Sequence, residues 1–323
     1  MKTTQPPSRS AGRGRRLATV AAAMLAGLAL VACSSNAGTP DSSAQPTFST
    51  GNAAYDAVIN AGPVADAATV SANSWASAVK ASGTLRVGGT QTSQLFSLMD
   101  PISNQIIGFD AGLWQLLSRY IFGSVNTKVT IVTSATREQV ITSKQVDVVL
   151  ATYSITPARM QQIDFAGPYY ASQAAILVKA DNTSITSVDD LADKNVATQA
   201  GSTGVALLQQ YAPKAKVVTL PDDAQCQAAV TSGQVDAYVI DQTILLSDLI
   251  TNTGVKLAGQ PFGPADSYGI GVLKGSDGKA FINQFLTTIE QDGTWQKLWA
   301  ATIQAKTKTT QTATPPAIGS AGN

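Results

Sequence analysis

The sequence predicts an α/β protein of two similar lobes, and three observations predict it. From residue 83 onward, short apolar runs alternate with amphipathic helical stretches, the pattern of strands covered by helices on both faces. The tripeptide Gln-Val-Asp occurs at residues 145–147 and again at 234–236. Each copy precedes an apolar run, with a polar residue five positions past the Asp: Thr152 in one and Asp241 in the other. The chain has 323 residues, enough for two such lobes and tails.

Residues 1–32 carry five basic residues and no acidic one, and their apolar run, 17–32, ends in small residues. That layout fits a secretory signal; the run is short for a membrane span. Removing those charges takes the net charge from +1 to −4. Residues 33–50, rich in Ser, Pro and Gly, predict a disordered tether. The Ala-rich stretch 51–82 predicts an extension of one or two helices, with Trp75 and Val79 on a common face and a packing or spacer role.

The first lobe is expected over 83–178 and, after the chain returns, over 267–301. Its strands are predicted at 85–87, 129–132 and 147–151, with a crossover strand at 174–178. A loop at 88–101 carries Gln91, Gln94, Phe96 and Asp100. A helix at 108–122 places Leu113, Leu116, Leu117, Tyr120 and Ile121 on one face, and a helix at 136–143 bears Arg137. The second lobe, 179–266, has strands predicted at 196–199, 217–220, 236–240 and 255–257, and helices at 205–211, 223–232 and 243–251. Strand 268–273 and one long helix, 280–301, complete the first lobe, with Phe281, Phe285, Ile289, Trp295 and Trp299 as core. Residues 302–323 predict a disordered tail.

Composition removes several chemistries. The chain has no histidine, which excludes Ser-His-Asp and Cys-His catalysis, HExxH zinc sites and the commonest metal ligand. No P-loop or strand-borne GxGxxG is present, so no nucleotide cofactor is implied. The near-neutral charge, with no basic run beyond the N-terminus, argues against nucleic acid. The two cysteines, Cys33 and Cys226, make no disulfide framework, and Cys226 has no basic neighbour in sequence to activate it.

What remains is binding at strand ends. After the run 148–150 come Thr152, Ser154, Thr156, Pro157 and Arg159: hydroxyls and free N–H groups backed by a guanidinium, a seat for a carboxylate. The matching end in the second lobe offers the carboxylate of Asp241, so the facing ends suit a zwitterion. Gly201-Ser202-Thr203-Gly204 opens a helix and presents N–H groups and hydroxyls to an anion, or supplies a simple N-cap.

Several ordered motifs resemble bacterial solute-binding proteins of family 3, the receptors of polar amino-acid ABC transporters. They are GFD at 108–110, ATYSITPAR at 151–159, DFAGPYY at 164–170, VDAYVID at 235–241, YGIGVLKG at 268–275 and QDGTWQKLW at 291–299. The likeness covers residues 85–299. Leu30-Val31-Ala32-Cys33 resembles a lipoprotein lipobox, and with LFSLMDP at 95–101 and Cys226 it resembles the actinobacterial glutamate-binding branch. Gly112 departs from the family, whose helix carries Asp or Glu there.

The resemblance implies a type II periplasmic-binding-protein fold with two hinge strands, anchored by lipid at Cys33 outside the cytoplasmic membrane. It implies a monomer that delivers a free amino acid to an ABC permease, without enzymatic turnover. Carried onto this chain, Arg159 pairs with the ligand's α-carboxylate, helped by Thr152, Ser154 and Thr203, and Asp241 accepts from its ammonium. Phe96 or a neighbour covers one side. Arg137 is placed for a second carboxylate, and with it in the cleft the pocket prefers Glu or Asp; without it Gln or Asn competes. Two rivals share the fold: an amino-acid-sensing lipoprotein signalling to a membrane partner, and a dehydratase.

Overall fold

Strands that are apolar on both faces need cover on both, and the computed structural model, which describes residues 47–310 and 313–321, shows how this chain provides it. Three short helices come first: α1 (Ala53–Ala61), α2 (Ala67–Ala72) and α3 (Ser74–Ser82). Asn73 makes them three, not two, because it ends α2 while its side chain accepts from Ala76 N at 2.9 Å to cap α3. They belong to the first lobe's core. Tyr55, Ile59, Val70, Ala76 and Val79 are buried there. The Tyr55 hydroxyl donates to Gln115 Oε1 at 2.6 Å. The Asp277 carboxylate accepts from Ser74 N and Trp75 N at 2.7 and 3.0 Å.

The first lobe continues with β1 (Leu85–Gly89) and a small antiparallel sheet, β2 (Thr92–Ser93), β3 (Ser97–Met99) and β4 (Ile106–Ile107), partly within the span predicted as loop. Then come α4 (Phe109–Phe122), β5 (Thr127–Ile131), α5 (Arg137–Thr142), β6 (Val148–Leu150) and α6 (Pro157–Met160). The next strand, β7 (Ile163–Lys179), is longer than the predicted crossover and leads into the second lobe: β8 (Asn195–Gln199), α7 (Gly204–Tyr211), β9 (Lys216–Leu220), α8 (Asp223–Ser232), β10 (Ala237–Asp241) and α9 (Gln242–Thr251). The chain returns along β11 (Val255–Leu273) to α10 (Gly278–Gln291) and α11 (Thr294–Trp299), followed by a π-helical turn, Ala300–Gln304, and α12 (Ala305–Thr307).

The large sheet has the order β5-β1-β6-β11-β7-β10-β8-β9. On one side β5, β1 and β6 are parallel; on the other β10, β8 and β9 are parallel. Between them β7 and β11 run antiparallel from one lobe to the other, with register shifts near Phe262 and Asp266. Alternate residues of each central strand face different cores: Val148 and Leu150 against Val149, and Tyr238 and Ile240 against Ala237 and Val239. This double burial is why the runs read as continuously apolar.

The repeated Gln-Val-Asp now has a physical meaning. Asp147 accepts from Arg86 N at 2.8 Å, and Asp236 accepts from Asn195 N at 2.8 Å. In return, the N–H of each Asp donates to the carbonyl of that same residue, also at 2.8 Å. The two aspartates therefore pin β6 beside β1 and β10 beside β8.

The C-terminal segment differs from its prediction in two ways. The helix is broken where Gly293 adopts φ 75° after Asp292. Beyond it, Thr302 and Ile303 are buried, and Ala313 and Ile318 pack on the first lobe's core, where a disordered tail was expected. The apolar spacing of α11 simply continues into Ile303, while Ala313 and Ile318 are isolated in a Thr- and Pro-rich stretch. Gly112, the family departure, lies under α11: a Cβ there would sit 2.3 Å from Leu298 Cδ1.

Candidate functional site

The end of β6 leads into α6, where Thr156 caps Arg159 N at 3.3 Å and Pro157 sets the first turn. This geometry buries Arg159 and aims it across the cleft. Its Nη1 donates to Ser154 O at 2.7 Å, its Nη2 to Gly201 O of the second lobe at 2.9 Å, and its Nε lies 3.3 Å from Glu138 Oε1. A guanidinium has five N–H donors, so some remain for a further acceptor. Ser154 is buried and pairs by a bridge with Tyr268.

Thr152 sits in the left-handed region, φ 44°, which is strained for a β-branched residue. Asp110 holds it there. The Asp110 carboxylate, fully buried on α4, accepts from Thr152 N at 2.7 Å and from the Tyr169 hydroxyl at 2.8 Å. Burial pushes the Asp110 carboxyl up to about 7, against those two bonds and Arg137. The Thr152 hydroxyl itself donates to Ala151 O at 2.8 Å.

Arg137, at the start of α5, is also buried. Its Nη1 donates to Ala151 O at 2.9 Å and reaches Thr152 O at 3.4 Å, and its guanidinium lies 4.2 Å from the Tyr153 ring centroid. Nε has no partner among the described residues. Burial, reinforced by Arg159, pulls its pKa down to about 10. Tyr153 thus packs against both arginines, with Arg159 5.2 Å from its ring centroid.

Asp241 closes β10. It is 3% exposed, and its Oδ2 accepts from the Tyr268 hydroxyl at 2.6 Å, while Oδ1 has no partner among the described residues. Burial and then Asp266 push its carboxyl up to about 7; Tyr268, Arg137 and Arg159 oppose them. A buried carboxylate with one open oxygen is an acceptor waiting for a donor.

At the head of α7 the Ser202 hydroxyl donates to Gln199 O at 2.7 Å, whereas the Thr203 side chain makes no capping bond. Gly201, at φ 76°, lies so close to the first lobe that a Cβ would be 2.8 Å from Ala135 Cα. Phe96 is placed elsewhere. Its ring is fully buried, edge-on to Phe109, Tyr170 and Tyr268 at 5.3–6.1 Å, and it does not line the cleft cavity. Cys33 lies outside the described residues. Cys226 is buried, with its thiol pushed up by burial and by Asp223.

Between the lobes lies a cavity of about 120 Å³. Gln91, Val132, Thr133, Ser134 and Thr152 line it from the first lobe, and Gln199, Asp222 and Asp223 from the second. The sequence reading named Thr152 among these. It gave no role to Asp110 and Tyr268, although both fall in the motifs GFD and YGIGVLKG, nor to Asp223, which opens a helix of mixed polarity. Arg159 and Asp241 do not line this cavity; a buried guanidinium with donors to spare in one lobe and a buried carboxylate with an open oxygen in the other are the charges that complement a zwitterion. Among the described residues no cluster is fit to hold a metal, and no helix is long and apolar enough to cross a membrane.

Residues 85–303 match the family model for bacterial extracellular solute-binding proteins, family 3. The chain is 31% identical over 230 residues to the ABC transporter glutamine-binding protein GlnH of Bacillus subtilis, spanning 70% of this chain and 84% of that one. It is 30% identical over 190 residues to the glutamate-binding protein GluB of Corynebacterium efficiens, spanning 56% of this chain and 64% of that one. Among solved structures, a cysteine-binding protein from Campylobacter jejuni superposes with a TM-score of 0.68 at 28% identity, covering 72% of this chain and 94% of that one. The architecture is the type II periplasmic-binding-protein fold that the motifs implied.

Proposed function

This chain belongs to the bacterial extracellular solute-binding proteins of family 3, and from that premise we propose that it is the substrate-binding subunit of an amino-acid ABC importer. In this reading Cys33 carries a lipid that holds it at the outer face of the cytoplasmic membrane. A free amino acid with an acidic or amide side chain enters between the lobes, β7 and β11 flex, and the lobes close and present it to the permease. No bond is made or broken.

One observation carries the reading: Arg159 and Asp241, both buried and one from each lobe, keep hydrogen-bonding capacity to spare, Arg159 beside Gly201 O of the second lobe and Asp241 on Oδ1. Arg159 would take the α-carboxylate with Ser154, Thr203 and Ser202 around it, and Asp241 would take the ammonium on Oδ1. Thr152 lines the cavity, but its hydroxyl donates to Ala151 O and its N–H to Asp110, so it would shape the wall without donating to the ligand. Arg137, the cation expected for a second carboxylate, is held on Ala151 O, Thr152 O and the Tyr153 ring and does not line the cavity, which favours the amide members of that class. Relatives named for glutamine and for glutamate support the acidic and amide class.

A thermal-shift screen of the purified protein against the twenty amino acids tests this. A ligand that binds only the folded state adds about 2.7 kcal/mol at 100 times its Kd. Shifts confined to Glu, Gln, Asp and Asn are expected. No shift with any amino acid would overturn the reading.

A further inference from the structure

Resting on that reading, we propose that Asp223 is a specificity-determining residue: it accepts a hydrogen bond from the ligand's side chain and makes the cleft choose an amide over a carboxylate. Asp223 lines the inter-lobe cavity from the first turn of α8 and is 8% exposed. Its neighbours fix its role as an acceptor. The Tyr238 hydroxyl donates to its Oδ1 at 2.9 Å; Gln199 Nε2 donates to that hydroxyl at 2.8 Å; Ser134 Oγ, across the cleft, donates to Gln199 Oε1 at 3.0 Å. This relay orients Gln199 and Tyr238 and leaves Asp223 with unused lone pairs at the cavity wall.

Charge sets the direction of choice. None of the described residues lining the cavity is a lysine or arginine, while Asp222 and Asp223 both are acidic. Arg137, the cation that would receive an acidic side chain, is turned away onto Ala151 O, Thr152 O and the Tyr153 ring. The Asp248 carboxyl is pushed up, by burial first and then by Asp223, because a second negative charge beside Asp223 is disfavoured. A carboxylate ligand side chain would add a like charge in a confined space, with no partner. An amide instead donates N–H to Asp223 and offers its carbonyl to the side-chain amide of Gln91 on the opposite wall, using both kinds of group. A cation would use only the acceptors.

Calorimetric titration of the purified protein with Gln, Glu, Asn, Asp, Arg and Lys tests the proposal. Gln or Asn is expected to bind at least about tenfold tighter than its isosteric acid, since a site built to accept a hydrogen bond rejects the analogue that cannot donate it. In Asp223→Asn the difference is expected to fall to within roughly threefold. The wild-type ratio alone fixes the sign, whether or not the variant folds. Tighter Glu or Asp, tighter Arg or Lys, or an unchanged ratio in a folded Asp223→Asn overturns the role of Asp223 while leaving amino-acid capture intact. Binding of none of the six, beside a blank thermal screen, removes the underlying reading as well.

Discussion

Replacing Asp241 with asparagine is expected to move stability and affinity in opposite directions. The folded-state pKa of Asp241 is raised to about 7 from an ordinary 3.8, chiefly by burial. The folded protein therefore holds this proton where the unfolded chain has released it. Stability declines as pH rises from about 4 to about 7, and the deficit persists above that range. A shift of this size corresponds to an order of magnitude of about 4 kcal/mol, felt in full only at neutral pH and above. Asparagine removes that penalty. Its amide oxygen still accepts from Tyr268, whose hydroxyl lies 2.6 Å from Asp241 Oδ2. The ligand-free variant should unfold at or above the wild-type denaturant midpoint at pH 7.5, with a flatter profile between pH 4 and 7. Affinity falls instead, because the ligand's ammonium loses its buried counter-charge. Removing one partner of such a pair costs about 2–5 kcal/mol, or roughly 30-fold to a few thousand-fold in Kd. Calorimetric titration with the best ligand from the thermal screen, beside urea unfolding of the ligand-free protein, measures both. A variant that binds like wild type and is less stable at pH 7.5 would show that Asp241 is structural, and would refute the reasoning on both counts.

Arg159→Lys keeps the charge but cannot span Ser154 O, Gly201 O and Glu138 as a planar fork, so Kd should rise at least about tenfold by calorimetry; unchanged affinity would take Arg159 out of the site. Cys33→Ser should shift the protein from the membrane fraction of cells to the soluble or medium fraction, read by immunoblot. A wild-type protein already absent from membranes would remove the lipid anchor.

Much of the fold was legible because burial writes itself into periodicity. The continuous apolar runs at 148–150 and 237–240 announced strands covered on both faces, and α8 lies where the sequence placed it, at Asp223–Ser232. The repeat at Asp147 and Asp236 was visible as a pattern but not as a mechanism, since only the structure shows the carboxylates gripping Arg86 N and Asn195 N. The site was half legible. A lone arginine among hydroxyls after a buried strand reads as an anion seat, and Arg159 reaches Gly201 O of the second lobe, the contact from which its binding role is proposed. Phe96 illustrates the limit: an aromatic in a loop reads as a ligand cover, yet its neighbours Phe109, Tyr170 and Tyr268 come from distant segments and enclose it. Asp110 and Tyr268 were visible as motif members, but their roles, and that of Asp223, were unreadable for a related reason. A buried polar group differs from an exposed one only in what surrounds it, and those surroundings are assembled by tertiary packing.

The seam between the lobes separates closure from choice. Beyond Arg159 to Gly201 O, the hydrogen bonds between the lobes among the described residues include the Tyr268 hydroxyl to Asp241 Oδ2 at 2.6 Å and with Thr243 Oγ1 at 3.1 Å, Ser134 Oγ to Gln199 Oε1 at 3.0 Å, Ser93 Oγ with Ser247 Oγ at 3.0 Å, and Leu95 N to Ser247 Oγ at 3.3 Å. Apart from the bonds of Arg159 and Asp241, each is neutral and worth about 0.5–1.5 kcal/mol net, because water makes the same bonds when the lobes part. In the proposed importer, such a seam would leave open and closed forms close in energy, where a ligand with a few kcal/mol of differential affinity sets the balance. There Gly201 would serve closure: a Cβ at that residue would lie 2.8 Å from Ala135 Cα of the first lobe. Asp223 and Gln91 line the cavity away from the Arg159–Gly201 contact and act on the choice among ligands. In the proposed importer, the two tasks therefore fall to different residues of one cleft, and selectivity can change without disturbing how the lobes meet.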